Sequence, residues 1–252
     1  MTNEGRRIMR LDAYMASAGL AHSRTRAQRL IRSGKVTVDG QPADKPSMQV
    51  EGNETVLVDT GDDYVSRGAY KLLGAFERFA DVGLPSPKGQ HCLDIGASTG
   101  GFCDVLLRHG ASEIIALDVG HGQLDPRIAD NPRIIEMSGL NIRDVEPEDL
   151  PYRPSFIVSD VSFISLTYVI PVIAKVAAGH ADILLLVKPQ FEVGKGHLGK
   201  NGVVEDPRLR QKALKTVCDC AEASGLKVVA TCPSPIQGTH GNEEYLLYAT
   251  LR

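Results

Sequence analysis

The chain has 252 residues, 42% of them hydrophobic and 23% charged, which is ordinary for a globular protein with a sizeable core. No stretch reaches the ~20 uninterrupted apolar residues of a membrane span, because the best candidate, YVIPVIAKVAAG, is broken by Pro171 and Lys175, and the start, MTNEGRRIMRLDAYMASAG, lacks the apolar run of a secretory signal. The net charge of −3 hides a split: residues 1–58 hold nine Lys/Arg against six Asp/Glu, hence +3, and residues 59–252 hold 19 against 25, hence −6. A basic appendage on an acidic body implies separate jobs, with nucleic acid the natural partner of the basic piece.

Residues 1–58 are expected to form that small α+β piece. A first short helix lies in MRLDAYMASAG, with Leu11, Tyr14 and Met15 on one face and Arg10 at its start. The stretch LAHSRTRAQRLIRSGKVTV, Leu20 to Val38, contains no acidic residue and five cations: Arg24, Arg26, Arg29, Arg32 and Lys35. Ser23 suits an N-cap, while Ala27, Leu30 and Ile31 pack inward and leave the arginines fanned over the exposed side. Gly34 ends the helix, KVTVDGQPA alternates as a strand turning at Asp39-Gly40, and ETVLV adds a later strand. Arginines without acidic partners repel one another and suit a phosphate backbone. The run RLDAYMASAGLAHSRTRAQRLIRSGKVTVDGQ resembles the small RNA-binding domain named for the fourth protein of the small ribosomal subunit, which implies binding to structured RNA and says nothing of catalysis.

A short polar linker, residues 59–66, leads to a body over residues 67–252 in which strands and helices alternate. The elements are helix GAYKLLGAFERFADVG, strand HCLDIG, helix GFCDVLLRHG, strands EIIALDVG, RIIEMSG and FIVSDVSF, helix LTYVIPVIAKVAAG and strand DILLLVKP. A loop over 190–205, helix DPRLRQKALKTVCDCAEASG and strands LKVVATC and EEYLLYATL follow. This order implies a Rossmann-like, doubly wound sheet of seven strands whose ligands sit at the carboxyl edge. Five cysteines, at 92, 103, 218, 220 and 232, show no metal-ligand spacing and read as reduced cytoplasmic thiols, so no metal is expected.

The first strand of the body runs through LDIGASTGGF directly into a helix. Its Gly96-x-x-x-Gly100-Gly101 spacing is not that of dinucleotide binders, and with Asp94 in front it is the pattern of S-adenosylmethionine sites, drawing Ala97, Ser98 and Thr99 into the candidate loop. Asp118 ends the second strand, 24 residues past Asp94, where a carboxylate can accept both hydroxyls of a ribose, and Asn141 follows the third strand within reach of an adenine edge. Charged residues gather at the same edge. Asp160 ends the fourth strand, and Lys188 follows the apolar run Ile183 to Val187 of the fifth. Glu243 or Glu244 begins an antiparallel seventh strand, where alternation lets only one face the site, and Lys71 starts the helix ahead of the first strand. Arg67, in SRGAYKL, joins the candidate RNA contacts. A ribose hydroxyl attacking a methyl sulfonium must lose its proton, and a lysine can take it where burial and a second ammonium favour the neutral amine.

This constellation resembles the FtsJ-like 2′-O-methyltransferases, whose Lys-Asp-Lys-Glu tetrad falls on Lys71, Asp160, Lys188 and Glu244. The ordered motifs YVSRGAYKL, DIGASTGGF, SDVSFISL, VKPQFEVGKG and GNEEYLLY, behind the basic domain, resemble the TlyA family throughout. That resemblance selects Glu244 over Glu243. It also implies S-adenosyl-L-methionine-dependent methylation of cytidine 2′-hydroxyls in ribosomal RNA, in the cytoplasm, with no obligate protein partner. Some members carry a haemolysin label, so a membrane-lysing protein and a non-catalytic RNA-binding or ribosome-assembly factor are the competing classes. The RLD triplet at Arg10 to Asp12 resembles a pseudouridine synthase motif, but it lies inside the small domain, where chance and helix packing explain it.

Overall fold

The computed structural model describes residues 8–21, 23–59 and 63–252, and the chain divides into two compact units, Met1–Asp63 and Tyr64–Arg252. Residues 1–7 of the expected basic domain and 60–62 of the expected linker lie outside the described residues.

In the first unit, β1 (Met9–Arg10) leads into α1 (Leu11–Ser17), and α2 (Arg24–Arg32) follows. Ser23 caps α2 by accepting from the Arg26 N–H at 3.2 Å. Then come β2 (Val36–Val38), β3 (Gln41–Pro42), β4 (Gln49–Val50) and β5 (Val56–Val58). β2 is the centre of a three-stranded antiparallel sheet between β3 and β5, and β1 pairs with β4. Leu11, Met15, Ala27, Leu30, Ile31, Val36 and Val38 form its core, so each helix buries one stripe against the sheet.

The second unit opens with α3 (Ala69–Phe79) and continues β6 (His91–Ile95), α4 (Gly101–Arg108), β7 (Glu113–Asp118), the one-turn α5 (Pro126–Ala129), β8 (Ile134–Ser138) and β9 (Phe156–Ser159). It ends with α6 (Leu166–Val176), β10 (Ala181–Val187), α7 (Pro189–Glu192), α8 (Pro207–Ala223), β11 (Lys227–Pro233) and β12 (Tyr245–Leu251). The stretch expected as a plain loop over 190–205 holds α7 and two short 3₁₀ turns. The seven strands order as β11-β12-β10-β9-β6-β7-β8, with β12 antiparallel to both neighbours. Alternate residues of each strand supply two cores. Leu93, Ile115, Ile157, Ile183 and Leu247 face α6 and α8, and Cys92, Ile114, Phe156, Leu184 and Leu246 face α3 and α4.

Strand order reverses at β6, since the chain moves outward through β7 and β8 and then returns to place β9 on the other side of β6. The crevice at the carboxyl ends of β6 and β9 is therefore the topological switch point where such sheets bind ligands.

Candidate active site

Strand register fixes which side chains meet at that crevice. Val187 of β10 pairs with Tyr245 of the antiparallel β12, so the next positions outward, Lys188 and Glu244, face each other across the sheet's carboxyl edge. Ser159 of β9 is level with Ile95 of β6 and Leu185 of β10, which puts Asp160 beside both strand ends. The first full turn of α3 brings Lys71 over the same edge.

The four side chains form one connected ionic cluster. Lys188 Nζ lies 2.6 Å from Asp160, while Lys71 Nζ lies 2.8 Å from Glu244 and 3.4 Å from Asp160. Lys71, Lys188 and Glu244 are buried, with 7%, 8% and 4% of their surface exposed, so each depends on the partners it finds inside the cluster. Lys188 stands at the end of β10, between the strands that carry Asp160 and Glu244, while Lys71 is the lysine that pairs with both acids. Lys188 finds its second partner in Ser162 Oγ, at 2.9 Å. Glu243 turns to the opposite face and pairs with Arg210 at 3.0 Å, as strand alternation requires.

Two clefts open on this cluster and share Lys71, Ser162 and Lys188 as a common wall. One, of about 280 Å³, is lined by Asp94, Gly96, Ala97, Ser98, Thr99 and Gly101 together with Arg67, Gly68 and Asp160. The other, of about 800 Å³, is lined by Phe163, Gln190, Phe191, Asn201, His240, Asn242 and Glu244 among others.

The glycine loop lines the smaller cleft through Gly96 and Gly101, and its glycines also admit close packing of the protein around it. At Gly96, with φ of +83°, an added Cβ would come within 2.9 Å of the Asp160 carbonyl oxygen, so this glycine lets the loop lie against the backbone that carries Asp160. A Cβ at Gly100 would strike Ile128 Cδ1 at 2.2 Å, and one at Gly101 would strike Ser66 Oγ at 2.2 Å. All three absent side chains make room for protein. Sequence reading also passed over Gly238, where a Cβ would lie 2.1 Å from Glu244 Oε1.

Asp118 does not line the smaller cleft, and both its oxygens already accept backbone N–H groups, from Ser98 and from Gly120, each at 2.8 Å. The carboxylate thus staples the glycine loop to the end of β7, and each oxygen keeps a lone pair for a further donor such as a ribose hydroxyl. Asn141 Oδ1 accepts from the Arg143 N–H at 3.2 Å as the cap of a 3₁₀ turn, and the residue lines neither of the two clefts.

Asp94 does reach the smaller cleft. It is almost fully buried, one oxygen accepts a weak S–H bond from Cys103 at 3.1 Å, and the other, Oδ1, has no partner. Burial, with the nearby charges of Asp160 and Asp118 adding to it, pushes its carboxyl up to about 7 against the Cys103 bond.

The basic surface of the first unit also departs from expectation, since three of its candidate RNA contacts, Arg10, Arg24 and Arg26, do have acidic partners. Asp12, fully buried, accepts from Arg10 through two bonds of 3.0 Å, from Gln28 at 2.7 Å and from Arg24 at 3.3 Å. The Arg10 guanidinium, with help from Gln28 and Arg24, holds its carboxyl far below the usual range. Arg26 pairs with Asp63. Among the described residues no acid pairs with Arg29, Arg32 or Lys35, and Arg29 and Arg32 flank a surface groove with Thr25, Gln28 and Ser33. In the second unit Arg67 donates to the Gln237 carbonyl at 2.5 Å and lines the smaller cleft.

The sheet order and the cleft at its switch point define a Rossmann-like α/β fold, shared with a methyltransferase from Mesorhizobium loti at a TM-score of 0.51 and 14% identity, over 71% of this chain and 98% of that one. The FtsJ-like methyltransferase model matches residues 64–251 and the S4 domain model residues 9–56. The chain belongs to the TlyA family of FtsJ-like methyltransferases. It is 46% identical over 244 residues to the 16S/23S rRNA (cytidine-2′-O)-methyltransferase TlyA of Mycobacterium tuberculosis, covering 96% of this chain and 90% of that protein. It is 41% identical to Hemolysin A of Brachyspira hyodysenteriae, over 95% and 99% of the two chains. A Streptococcus thermophilus protein solved under a hemolysin name superposes with a TM-score of 0.73 at 37% identity, over 98% of this chain and 90% of that one.

Proposed function

We propose that this protein methylates the 2′-hydroxyl of cytidine in ribosomal RNA, with S-adenosylmethionine as donor and Lys188 as the group that takes the hydroxyl proton. The carrying observation is the shared wall between the two clefts, formed by Lys71, Ser162 and Lys188. A donor in the smaller cleft and a ribose in the larger would meet there.

S-adenosylmethionine supplies an electrophilic methyl group on a sulfonium, whose C–S electron pair stays with sulfur as the new O–CH₃ bond forms. The smaller cleft suits such a cation, because the Asp94 carboxyl is part of its lining and Gly96 to Thr99 supply the floor. Asp94, Gly96, Ala97, Ser98, Thr99 and Gly101 would hold the donor, with Asp118 acting through the loop that it staples.

The chain's own residues then handle one proton. Lys71 lies against two carboxylates and Lys188 against one, so Lys71 is the more firmly tethered of the two. Lys71 therefore serves as the fixed cation that holds Asp160 and Glu244 in place. Lys188 Nζ, oriented by Asp160, accepts the hydroxyl proton as the oxygen attacks and later releases it to water. Arg29, Arg32 and Lys35 give the first unit a surface for RNA phosphates, and a ribosomal substrate puts the enzyme in the cytoplasm. The haemolysin name of some relatives finds no counterpart in a membrane-crossing helix among the described residues. Ribosomal RNA incubated with the protein and isotopically labelled donor, then digested to nucleosides for mass spectrometry, should yield labelled 2′-O-methylcytidine. Label in a base, or none, overturns the reading.

A further inference from the structure

We infer that Ser162 is a positioning residue of the reaction, setting the direction in which Lys188 presents its free electron pair; this rests on Lys188 being the proton acceptor. A neutral lysine amine has four tetrahedral directions around nitrogen, occupied by Cε, two hydrogens and one lone pair. Asp160 at 2.6 Å and Ser162 at 2.9 Å accept from two of those directions. With Cε on the third, the fourth is left for the lone pair, at a residue that lines both clefts together with Ser162. Without Ser162 the amine can rotate about Cε–Nζ and offer a hydrogen where the lone pair is needed.

The contact strengthens along the reaction coordinate. As Lys188 gains the hydroxyl proton it becomes a cation, and its bond to Ser162 becomes charge-assisted, so the interaction favours the transition state over the ground state.

Ser162 is held in register by two further ties between the segment after β9 and the segment after β10. The rings of Phe163 and Phe191 sit 5.2 Å apart, and Glu192 accepts from Ser165 Oγ at 2.5 Å and from the Leu166 N–H at 2.9 Å. Phe163 takes a φ of +64°, a conformation a non-glycine residue adopts at a cost unless its surroundings impose it. Lys188–Ser162, Phe163–Phe191 and Glu192–Ser165 thus lace the two segments in sequence order, which makes the Ser162 contact a built feature of the edge.

Ser162→Ala, Ser162→Thr and Lys188→Ala in the full chain test this, with donor affinity by calorimetry, RNA affinity by filter binding and turnover on ribosomal RNA. Ser162→Ala should lower kcat about ten- to hundredfold, the range of one hydrogen bond to a charged group, while KM and both affinities stay near wild type. Ser162→Thr restores the hydroxyl and should restore kcat to within about threefold. Wild-type turnover in Ser162→Ala, or an equal loss in Ser162→Thr, overturns the inference. Lys188→Ala separates it from the reading beneath: an active Lys188→Ala refutes proton transfer to Lys188, whereas an inactive one beside a fully active Ser162→Ala refutes the role of Ser162 alone.

Discussion

Lowering the pH from 8 to 6 should weaken donor binding about tenfold, with Asp94 as the titrating group. Burial drives its carboxyl to about 7 by disfavouring the charged form, and Asp160 and Asp118 add to the shift. A site titrating there is roughly nine-tenths ionised at pH 8 and one-tenth at pH 6, so a ligand that binds only the carboxylate loses about a factor of ten. The sign follows from the donor's charge: a cation favours the carboxylate, so affinity is full above about 7 and falls as Asp94 takes its proton. Titration calorimetry of donor without RNA, in buffers of different ionisation enthalpy, reads both the affinity and the proton released on binding at pH 6. Asp94→Asn should bind weakly at every pH without proton release. In the free protein the raised value acts oppositely, contributing stability that is complete below the ordinary carboxyl value of 3.8 and lost as the pH rises through about 7. Asp94→Asn should therefore melt no lower than wild type at pH 8. A wild-type affinity that stays flat from pH 6 to 8, with no proton released, refutes the placement of Asp94 against the donor.

Asp118→Ala should weaken donor binding roughly 5- to 150-fold, the equivalent of ~1–3 kcal/mol, because the Ser98 and Gly120 amides lose their acceptor and the glycine loop loses its staple; calorimetry at constant pH checks this. Gly96→Ala should cost about 1–2 kcal/mol in thermal unfolding from its positive φ alone, and it should lower turnover as well, since the new Cβ presses on the Asp160 backbone. Replacing both Arg29 and Arg32 with glutamate should weaken RNA binding and reduce the slope of log affinity against log salt by about 0.7–0.9 per lost phosphate contact, with donor affinity unchanged.

The architecture of the body was legible because its strands carry unambiguous patterns. The continuous apolar run before Lys188 marks a strand buried on both faces, and β10 is buried along its whole length. The site was legible where a charged residue directly follows such a strand, as at Asp160 and Lys188, or where alternation separates neighbours, as at Glu243 and Glu244. What escaped depends on contacts between segments far apart in sequence. The Asp12 clasp joins α1 to α2 across a stretch in which Arg24 seemed to have no acid, so local charge counting missed it. The Asp118 staple escaped because its acceptor bonds go to backbone amides, which leave no trace in side-chain pattern. Ser162 carries no sequence signal at all, for a serine in a loop is ordinary until Lys188 is found beside it. The one-turn α5 is too short for periodicity to register, although Asp125-Pro126 was available as a start signal.

The central claim is that Lys188 removes the hydroxyl proton, and the most direct measurement is single-turnover methyl transfer to ribosomal RNA by Lys188→Arg. Arginine keeps the positive charge beside Asp160 but cannot lose a proton near neutral pH, so it separates base chemistry from electrostatic anchoring. The account predicts that Lys188→Arg binds donor and RNA nearly as wild type and transfers no methyl group, matching Lys188→Ala. Near-wild-type transfer by Lys188→Arg would contradict it and leave the lysine a positioning charge, with the base to be sought first at Lys71.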